Sequence, residues 1–575
     1  VTHGPFQFHA IALSYFLFGA SDFSSRIPAA LFGVAVIVFT LFAWKRYLGR
    51  IGALIGGVLF LISPYILFYS RYSRNEIFIV FWGMVMLWLF LRYLEDGKQK
   101  WLLWLALIVG MHYADKATAY IFTAEALIFL ALLFIRECAR AEWPSEKVRV
   151  NFLSVFLIAM LCLVLVGGFY MLHKSLSPVA PLVESVPSAG GGIAQPASSN
   201  IFAGRIPMLA AVLLFTASVI WLIVLIIKGL GWKRIRASRV FDLLVFQLLL
   251  VLPLLTALPV QMLGYSAQDT STAGILRTGV VFVLLFAIAL FLGLMWNRKT
   301  WLLGLAIFWS IFVLFYTTFF THGEGFFKGI VSALAYWMEQ QGEQRGSQPL
   351  YYYAFVQIPF YEFLPAIGAV TTFIIALKHK LFFSLTGQPF KSSISETKII
   401  APDSPAEIDL AAGGSAAPEV IEPSHEAGFA DPAAVESPQS ELVKEESNPE
   451  NETVQPQHTW FHRFFTLPEN DPLPSKALPV VLLLLYWGLI SLLAFSIAGE
   501  RMPWLTTHIT MPLILSSAWG LAYLVEKIDW ESVYHKHGWL VALVSIVLIV
   551  SFSSLIGSLL GNNPPLLGKT LAELQ

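Results

Sequence analysis

Charge is what this 575-residue chain has least of. Only 13% of its residues are Asp, Glu, Lys or Arg, about half the share of an ordinary soluble domain, which excludes a chain whose whole surface faces water. Neither sign is in excess: 37 basic side chains stand against 37 acidic ones, so no basic footprint points to a nucleic-acid partner. Two cysteines, Cys138 and Cys162, exclude a disulfide framework, and no Cys/His zinc spacing accompanies them. There is no GxxxxGK[ST] run, so ATP-driven transport has no engine here, and no HExxH. The Asp-x-Asp metal-binding pair of soluble nucleotide-dependent transferases is missing too. Gly190-Gly191-Gly192 lacks the strand and helix that would make it a phosphate cradle. These absences leave chemistry fed by an activated donor carried in the membrane, or no chemistry at all.

What is present is apolar. Hydrophobic residues make up 57% of the chain and the mean hydropathy is +0.69. A spanning helix needs about 20 mostly apolar residues, and such segments recur near 27–44, 51–69, 77–94, 101–113, 118–135, 152–172, 206–227, 241–262, 276–296, 301–320, 353–377, 477–497, 509–525 and 538–558. The expected fold is an all-α polytopic membrane protein. Segments 101–113 and 118–135 are short and read as a helical hairpin turning at Asp115-Lys116. Basic loops around Lys45–Arg50, Lys98–Lys100, Arg136–Arg149, Lys228–Arg239, Arg298-Lys299 and Lys378–Lys380 alternate onto one face, which the positive-inside rule makes cytoplasmic. Trp44, Tyr47, Trp101, Trp232, Trp296, Trp301 and Trp504 sit near segment ends, as interfacial anchors do. From 381 to 475 the chain is rich in Ala, Pro, Glu and Ser without periodicity. It reads as a disordered cytoplasmic linker, in which the sequon Asn451-Glu452-Thr453 is chance. The organisation is thus a core over 1–380, the linker, and C-terminal spans over 476–575. The start at Val1, in a polar stretch, reads as an N-terminal truncation.

Five charged clusters end spans on the opposite, outer face: Arg71, Arg74 and Glu76; Asp115-Lys116; Gln268-Asp269 with Arg277; His322-Gly323-Glu324; and Glu500-Arg501. Charge beside hydrocarbon is costly and persists with a partner or a purpose. Arg71 and Arg74 suit phosphate, because the guanidinium fork donates two parallel hydrogen bonds. Glu76 could orient Arg74, bind a divalent cation or contact a sugar hydroxyl, against the plainer reading of a structural ion pair. Lys116 could meet phosphate as a point charge, or the Asp115-Lys116 turn could merely solvate itself. Arg277 could bind a headgroup or snorkel. An amphipathic stretch near Lys328–Gln341 should lie along the outer surface, and Tyr351, Tyr352 and Tyr353 follow it, ready to stack on a sugar or prenyl chain or to form a belt. Arg501, Trp504 and His508 close the set.

These stretches resemble the polytopic GT-C glycosyltransferases, in the branch of dolichyl-phosphate-mannose–protein mannosyltransferases and bacterial aminoarabinose transferases. His3-Gly4-Pro5-Phe6 with SYFLFGASDFSSRIPAALFG looks like the family's first outer loop entering its second helix. Tyr69–Glu76 with RYLEDGKQKWLLWLALIVGMHYADKA is similar to its Arg-rich loop, acidic position and helical hairpin. FYTTFFTHGEGF, the tyrosine run and GERMPWLTTHITMPL resemble a narrower, flippase-activity-associated subgroup. The resemblance implies a GT-C-like bundle of roughly 12–15 transmembrane helices in the cytoplasmic membrane. It implies inverting transfer from a polyprenyl-phosphate sugar to a glycan, lipid or protein acceptor at the outer face. Glu76 matches the family's second acidic site and is the catalytic residue expected here. The main base is expected upstream of Val1. Lys116 falls in the family's Lys turn, although Ala117 stands where an acidic neighbour is usual. His3, Arg71, Arg74, Asp115, Lys116, Arg277, Glu324, Tyr351, Tyr352, Glu500, Arg501 and His508 are the expected substrate-binding set. The alternatives are a lipid-linked oligosaccharide flippase, which calls for ionisable groups at mid-bilayer, and a non-catalytic membrane subunit.

Overall fold

The computed structural model describes residues 4–176, 201–269, 271–340, 348–383, 478–499 and 501–560, with the side chains of 169–176, 201–209, 339, 340 and 558–560 excepted. His3, Glu500, most of the expected outer loop 173–204 and all but the first residues of the linker lie outside them. The described chain is helical throughout, with no β-strand among the described residues. Its main helices are α1 (Phe6–Phe18), α2 (Asp22–Phe39), α3 (Lys45–Ile62), α4 (Pro64–Tyr69), α5 (Glu76–Asp96), α6 (Gln99–Asp115), α7 (Ala119–Arg140), α8 (Glu146–Leu176), α9 (Ile201–Leu230), α10 (Arg239–Val251), α11 (Thr272–Tyr316), α12 (Glu324–Gln340), α13 (Phe363–His379), α14 (Val480–Ile497), α15 (Thr506–Lys527) and α16 (Gly538–Leu560). Among the described residues nine continuous helical runs are long and apolar enough to cross a membrane, ten if the bent pair ending in α13 is one span. The protein is a multi-pass membrane protein.

Two of those runs hold more than one crossing. Asp22–Ile62 has 41 residues and Thr272–Tyr316 has 45, and at 1.5 Å per residue each is about twice the length that the hydrocarbon core requires. Both fold back where the sequence reading parts its segments. Gly49 breaks the first, with φ +74°, a conformation glycine adopts without a Cβ clash. The return brings Gly57 against Leu41 and Ile37. Asn297 breaks the second, with non-helical φ and ψ, and Trp309 then packs on Phe282 and Phe286.

The structure departs from the sequence expectation at four places. Residues 6–18, read as loop, form α1, too short to register as a span. The segment 241–262 is not one helix: Pro253 and Pro259 divide it into α10, a 3-10 turn over Leu252–Leu255 and a short helix over Ala257–Met262, because proline removes an N–H from the ladder. The segment 353–377 is bent by 109° between Tyr361 and Phe363. Finally, Trp44, Tyr47, Trp296 and Trp301 are not lipid-facing anchors; all four are buried among helices. Trp296 Nε1 donates to Asp242 at 2.7 Å and Tyr47 donates to Glu95 at 3.0 Å.

α5 is the centre of the bundle, buried along most of its length. A helix apolar on every face belongs where every face has a neighbour. Phe122 of α7 lies so close over Gly83 that a Cβ there would come within 2.6 Å of its ring. At its C-terminus, Gly97 takes the left-handed cap, and a charged clasp forms. Glu95 accepts from both Arg46 and Arg92, Asp242 accepts from Tyr93 at 2.7 Å, and Arg239 donates to the Leu94 and Glu95 carbonyls at 2.9 and 2.6 Å. Those contacts collect the basic loops at this end of the bundle.

Glu95 is the shared acceptor of the clasp, so Glu95→Ala removes the carboxylate that Arg46 and Arg92 have in common. It should cost roughly 3 kcal/mol, read as a lowered thermal midpoint of the detergent-solubilised chain. An unchanged midpoint would show that the clasp contributes nothing to stability.

Candidate functional site

At the opposite end of α5 the chain enters the helix through Arg74-Asn75-Glu76. Glu76 is the first helical residue, where the unsatisfied N–H groups and the positive end of the helix dipole favour a carboxylate. The α5–α6 hairpin returns to the same level and leaves α6 at Asp115-Lys116. As a result, residues 40 positions apart meet. Lys116 Nζ donates to Glu76 Oε1 at 2.7 Å, and Arg74 Nε donates to Glu76 Oε2 at 3.2 Å. Glu76 has no exposed side-chain surface, Lys116 has almost none, and Arg74 keeps about a quarter of its own. One carboxylate thus holds two cations, an arrangement common to the reading in which Glu76 orients Arg74 and to that of a structural ion pair.

The turn does not solvate its own charges. Asp115 is fully buried. Asn75 Nδ2 donates to its Oδ1 at 2.8 Å and to its carbonyl at 2.9 Å, and the Gly4 N–H donates to the same carbonyl at 2.9 Å. Gly4 is obligatory there, since a Cβ would lie 2.2 Å from the Ala114 carbonyl oxygen. Asp115 Oδ2 has no hydrogen-bond partner among the described residues. Buried polar atoms in native proteins are rarely left so.

Aromatic residues surround the cations. The Arg74 guanidinium lies 3.9 Å from the Trp504 ring, a cation–π contact that fixes its orientation while leaving N–H groups at its edge. Tyr65 stacks with Tyr69 at 6.2 Å, meets Tyr361 edge-on at 5.7 Å, and Tyr69 meets Tyr72 at 6.3 Å. Tyr352 lies within electrostatic range of Tyr65 and Tyr69. Glu362 holds this wall in place from behind. It sits at the 109° bend, accepts from Ser63 Oγ at 2.6 Å and from the Tyr65 N–H at 3.1 Å, and so caps the N-terminus of α4 with a carboxylate.

The other expected residues fall into two groups. Arg501 stands beside this end, and its Nε and one Nη donate to the Ser496 and Gln348 carbonyls at 2.9 and 2.6 Å. Tyr353 donates to the Met502 carbonyl at 3.0 Å, so both residues clamp the loops that carry Trp504. His508 is buried, stacked on Phe495 and edge-on to Phe122. His112, which the sequence reading did not single out, touches the other side of Phe122. Arg71, Arg277, Glu324 and Tyr351 have local partners. Arg71 bonds the Leu67 carbonyl, Glu324 pairs with Lys328 on its own helix, and Tyr351 faces Phe355. Arg277 pairs with Asp269 at 3.2 Å and lies over Tyr265. The Ser271 N–H and hydroxyl, with Arg277, hold the Asp269 carboxyl below the usual range.

Asn75, Tyr65, Tyr69 and Glu362, which the structure brings to this end, are not among the residues the sequence reading assigns to a site. Asn75 alone carried a local signal, lying between two residues that were read as functional. Among the described residues no group of three or more His, Cys, Asp or Glu could hold a metal ion, and each Glu76 carboxylate oxygen accepts from a cation.

Residues 2–167 match the family model of dolichyl-phosphate-mannose-protein mannosyltransferase. The match contains Arg74, Glu76, Asp115 and Lys116 and ends before the stretches that carry the subgroup resemblance. Over 126 residues the chain is 25% identical to the "Putative mannosyltransferase YkcB" of Bacillus subtilis (strain 168), covering 22% of this chain and 18% of that protein. The chain therefore aligns with less than a fifth of that relative's length. No solved structure matches.

Proposed function

We propose that the chain is a membrane glycosyltransferase that moves a sugar from a polyprenyl-phosphate donor to an acceptor hydroxyl at the outer face of the cytoplasmic membrane. The observation that carries this reading is the pair of cations, Lys116 and Arg74, held on the two oxygens of one buried carboxylate at a helix end. The family match over the same residues supports it. A glycan, lipid or protein could supply the hydroxyl.

In the proposed reaction the acceptor oxygen attacks the anomeric carbon. The bond from that carbon to the phosphate oxygen breaks, and the lipid phosphate leaves with the electron pair. Charge grows on the phosphate as the bond breaks. Lys116 and the edge of Arg74 are already aligned, so little reorganisation opposes that growth. Glu76 acts as a positioning residue that keeps both cations at the donor phosphate. The acceptor's proton goes to a carboxylate. The resemblance expects that base upstream of Val1; beside the pair, Asp115 Oδ2 is a carboxylate oxygen with no partner among the described residues. The tyrosine wall would lie against the sugar or the first isoprene units.

One observation favours the flippase reading instead. Glu125 lies six residues into α7, about 9 Å below its outer end, buried, with Oε2 on Ser491 at 3.0 Å and Oε1 without a partner among the described residues. Intramembrane carboxylates often mark transport paths. The two readings separate by mutation.

With membranes supplied with labelled polyprenyl-phosphate mannose, Glu76→Gln and Lys116→Met should each lower transfer by roughly 100-fold or more, while Glu125→Gln leaves it within about twofold. Loss in Glu125→Gln with full transfer in Glu76→Gln would reverse the assignment. Because Arg71 and Glu324 have only local partners, Arg71→Ala and Glu324→Ala should stay within about twofold of wild type in the same assay. A loss in either would bring these loops into the site.

A further inference from the structure

At the far end of α5 and α7 from Glu76 and Lys116, the helices part around a cavity of about 210 Å³. Leu94 ends α5 there, Arg136 and Glu137 come from the last turns of α7, Ser238 and Arg239 begin α10, and Phe383 follows α13. Nothing in the proposed transfer uses this place.

Its polar lining is unusual in two respects. The Arg136 guanidinium carbon lies over the Phe383 ring, 3.6 Å from its centre, and none of its N–H groups has a hydrogen-bond acceptor among the described residues. Stacking on a ring costs a guanidinium none of its edge donors and fixes the plane in which they point. Arg239 uses one terminal nitrogen on the Leu94 and Glu95 carbonyls, which holds its fork at the cavity wall. The opposing charge is Glu137, whose Oε2 already accepts from Ser238 Oγ at 2.6 Å. Two guanidinium groups against one occupied carboxylate leave a net positive wall.

A second cavity, of about 160 Å³, adjoins the first and shares Glu137 and Ser238 with it. Its other walls are Phe134, Cys138, Ala141, Leu230 and Ile235, with Arg234, which pairs with Glu142, at one side. A basic compartment that shares two walls with a largely apolar one matches an amphiphile with an anionic head.

We propose that the joined cavities bind a phosphate-bearing lipid of the leaflet at the basic end of the bundle. Its phosphate is received by the edge of Arg136 with Arg239 beside it, and its chain enters the compartment lined by Phe134 and Ile235. Basic pockets between spanning helices on this face suit anionic headgroups. The proposal stands apart from the glycosyltransferase reading, since no residue is common to the two sites.

The test is native mass spectrometry of the full chain in neutral detergent, with phosphatidylglycerol or phosphatidylcholine added. Wild type should retain phosphatidylglycerol preferentially. Arg136→Gln should lower that retention at least about tenfold, and Phe383→Ala, which frees the guanidinium without removing it, should lower it about threefold. Arg140→Gln, an exposed cation on the same helix outside the cavity lining, should leave it within about twofold. Displacement of the lipid by millimolar inorganic phosphate would assign the pocket to soluble phosphate and overturn the lipid reading. Equal loss in Arg136→Gln and Arg140→Gln, or no loss in Arg136→Gln and Phe383→Ala, would reduce the effect to general surface charge and end the proposal. If Arg136→Gln does not fold, Phe383→Ala against Arg140→Gln decides alone.

Discussion

One buried carboxylate shared by two cations organises the end of the bundle where the site lies. Such an arrangement is poor economy as a source of stability, since the desolvation of three ionised groups consumes most of what their attraction returns, and apolar side chains of similar size would hold the helices as well. Its persistence at a helix end points to what the charges do together. Lys116 is immobilised by Glu76, Arg74 by Glu76 and Trp504, and Asp115 by Asn75 and the Gly4 N–H. Each of those restraints removes a rotamer that a binding site would otherwise have to order.

The restraints arrive from distant parts of the chain. Trp504 begins the entry into α15, and its loop is clamped by Arg501 and Tyr353. Glu362, at the bend before α13, reaches across 299 positions to Ser63 and fixes α4, whose Tyr69 lies within electrostatic reach of Arg74. Tyr316, at the end of α11, donates to the Tyr113 carbonyl, two residues from Asp115. The first 167 residues carry the cations, their shared carboxylate and part of the tyrosine wall, and later helices add Trp504, Tyr361 and Glu362.

The two ends of the bundle differ in kind. At the basic end, charges are mostly spent on closure: Glu95 takes Arg46 and Arg92, and Asp242 takes Tyr93 and Trp296. Arg136, set over the Phe383 ring, has no such acceptor among the described residues, and the cavity lies beside it. At the other end Asp115, His112 and His508 are buried, and Asp115 Oδ2, His112 Nε2 and both His508 ring nitrogens have no partner among the described residues.

The sequence by itself determined the class of the molecule, nearly all of its helices, and the ends at which charge collects. Apolar length and the position of basic loops are local properties, and the bilayer imposes the same length on every crossing. It also marked Arg74, Glu76, Asp115 and Lys116, because ionised residues beside apolar runs stand out in any order of folding. Only the tertiary structure decided which of those charges meet. Arg277 and Glu324 looked as functional as Lys116 in the sequence, yet they pair locally, while Lys116 is buried on Glu76. The same limit hid the bend at Glu362 and misread Trp44 and Trp301, since an indole at a helix end looks alike whether it faces lipid or a neighbouring helix. The physical reason is common to all of them: the free energy of a charge or a polar ring in a membrane protein depends on what lies against it, and that neighbour is chosen by packing between helices far apart in the chain.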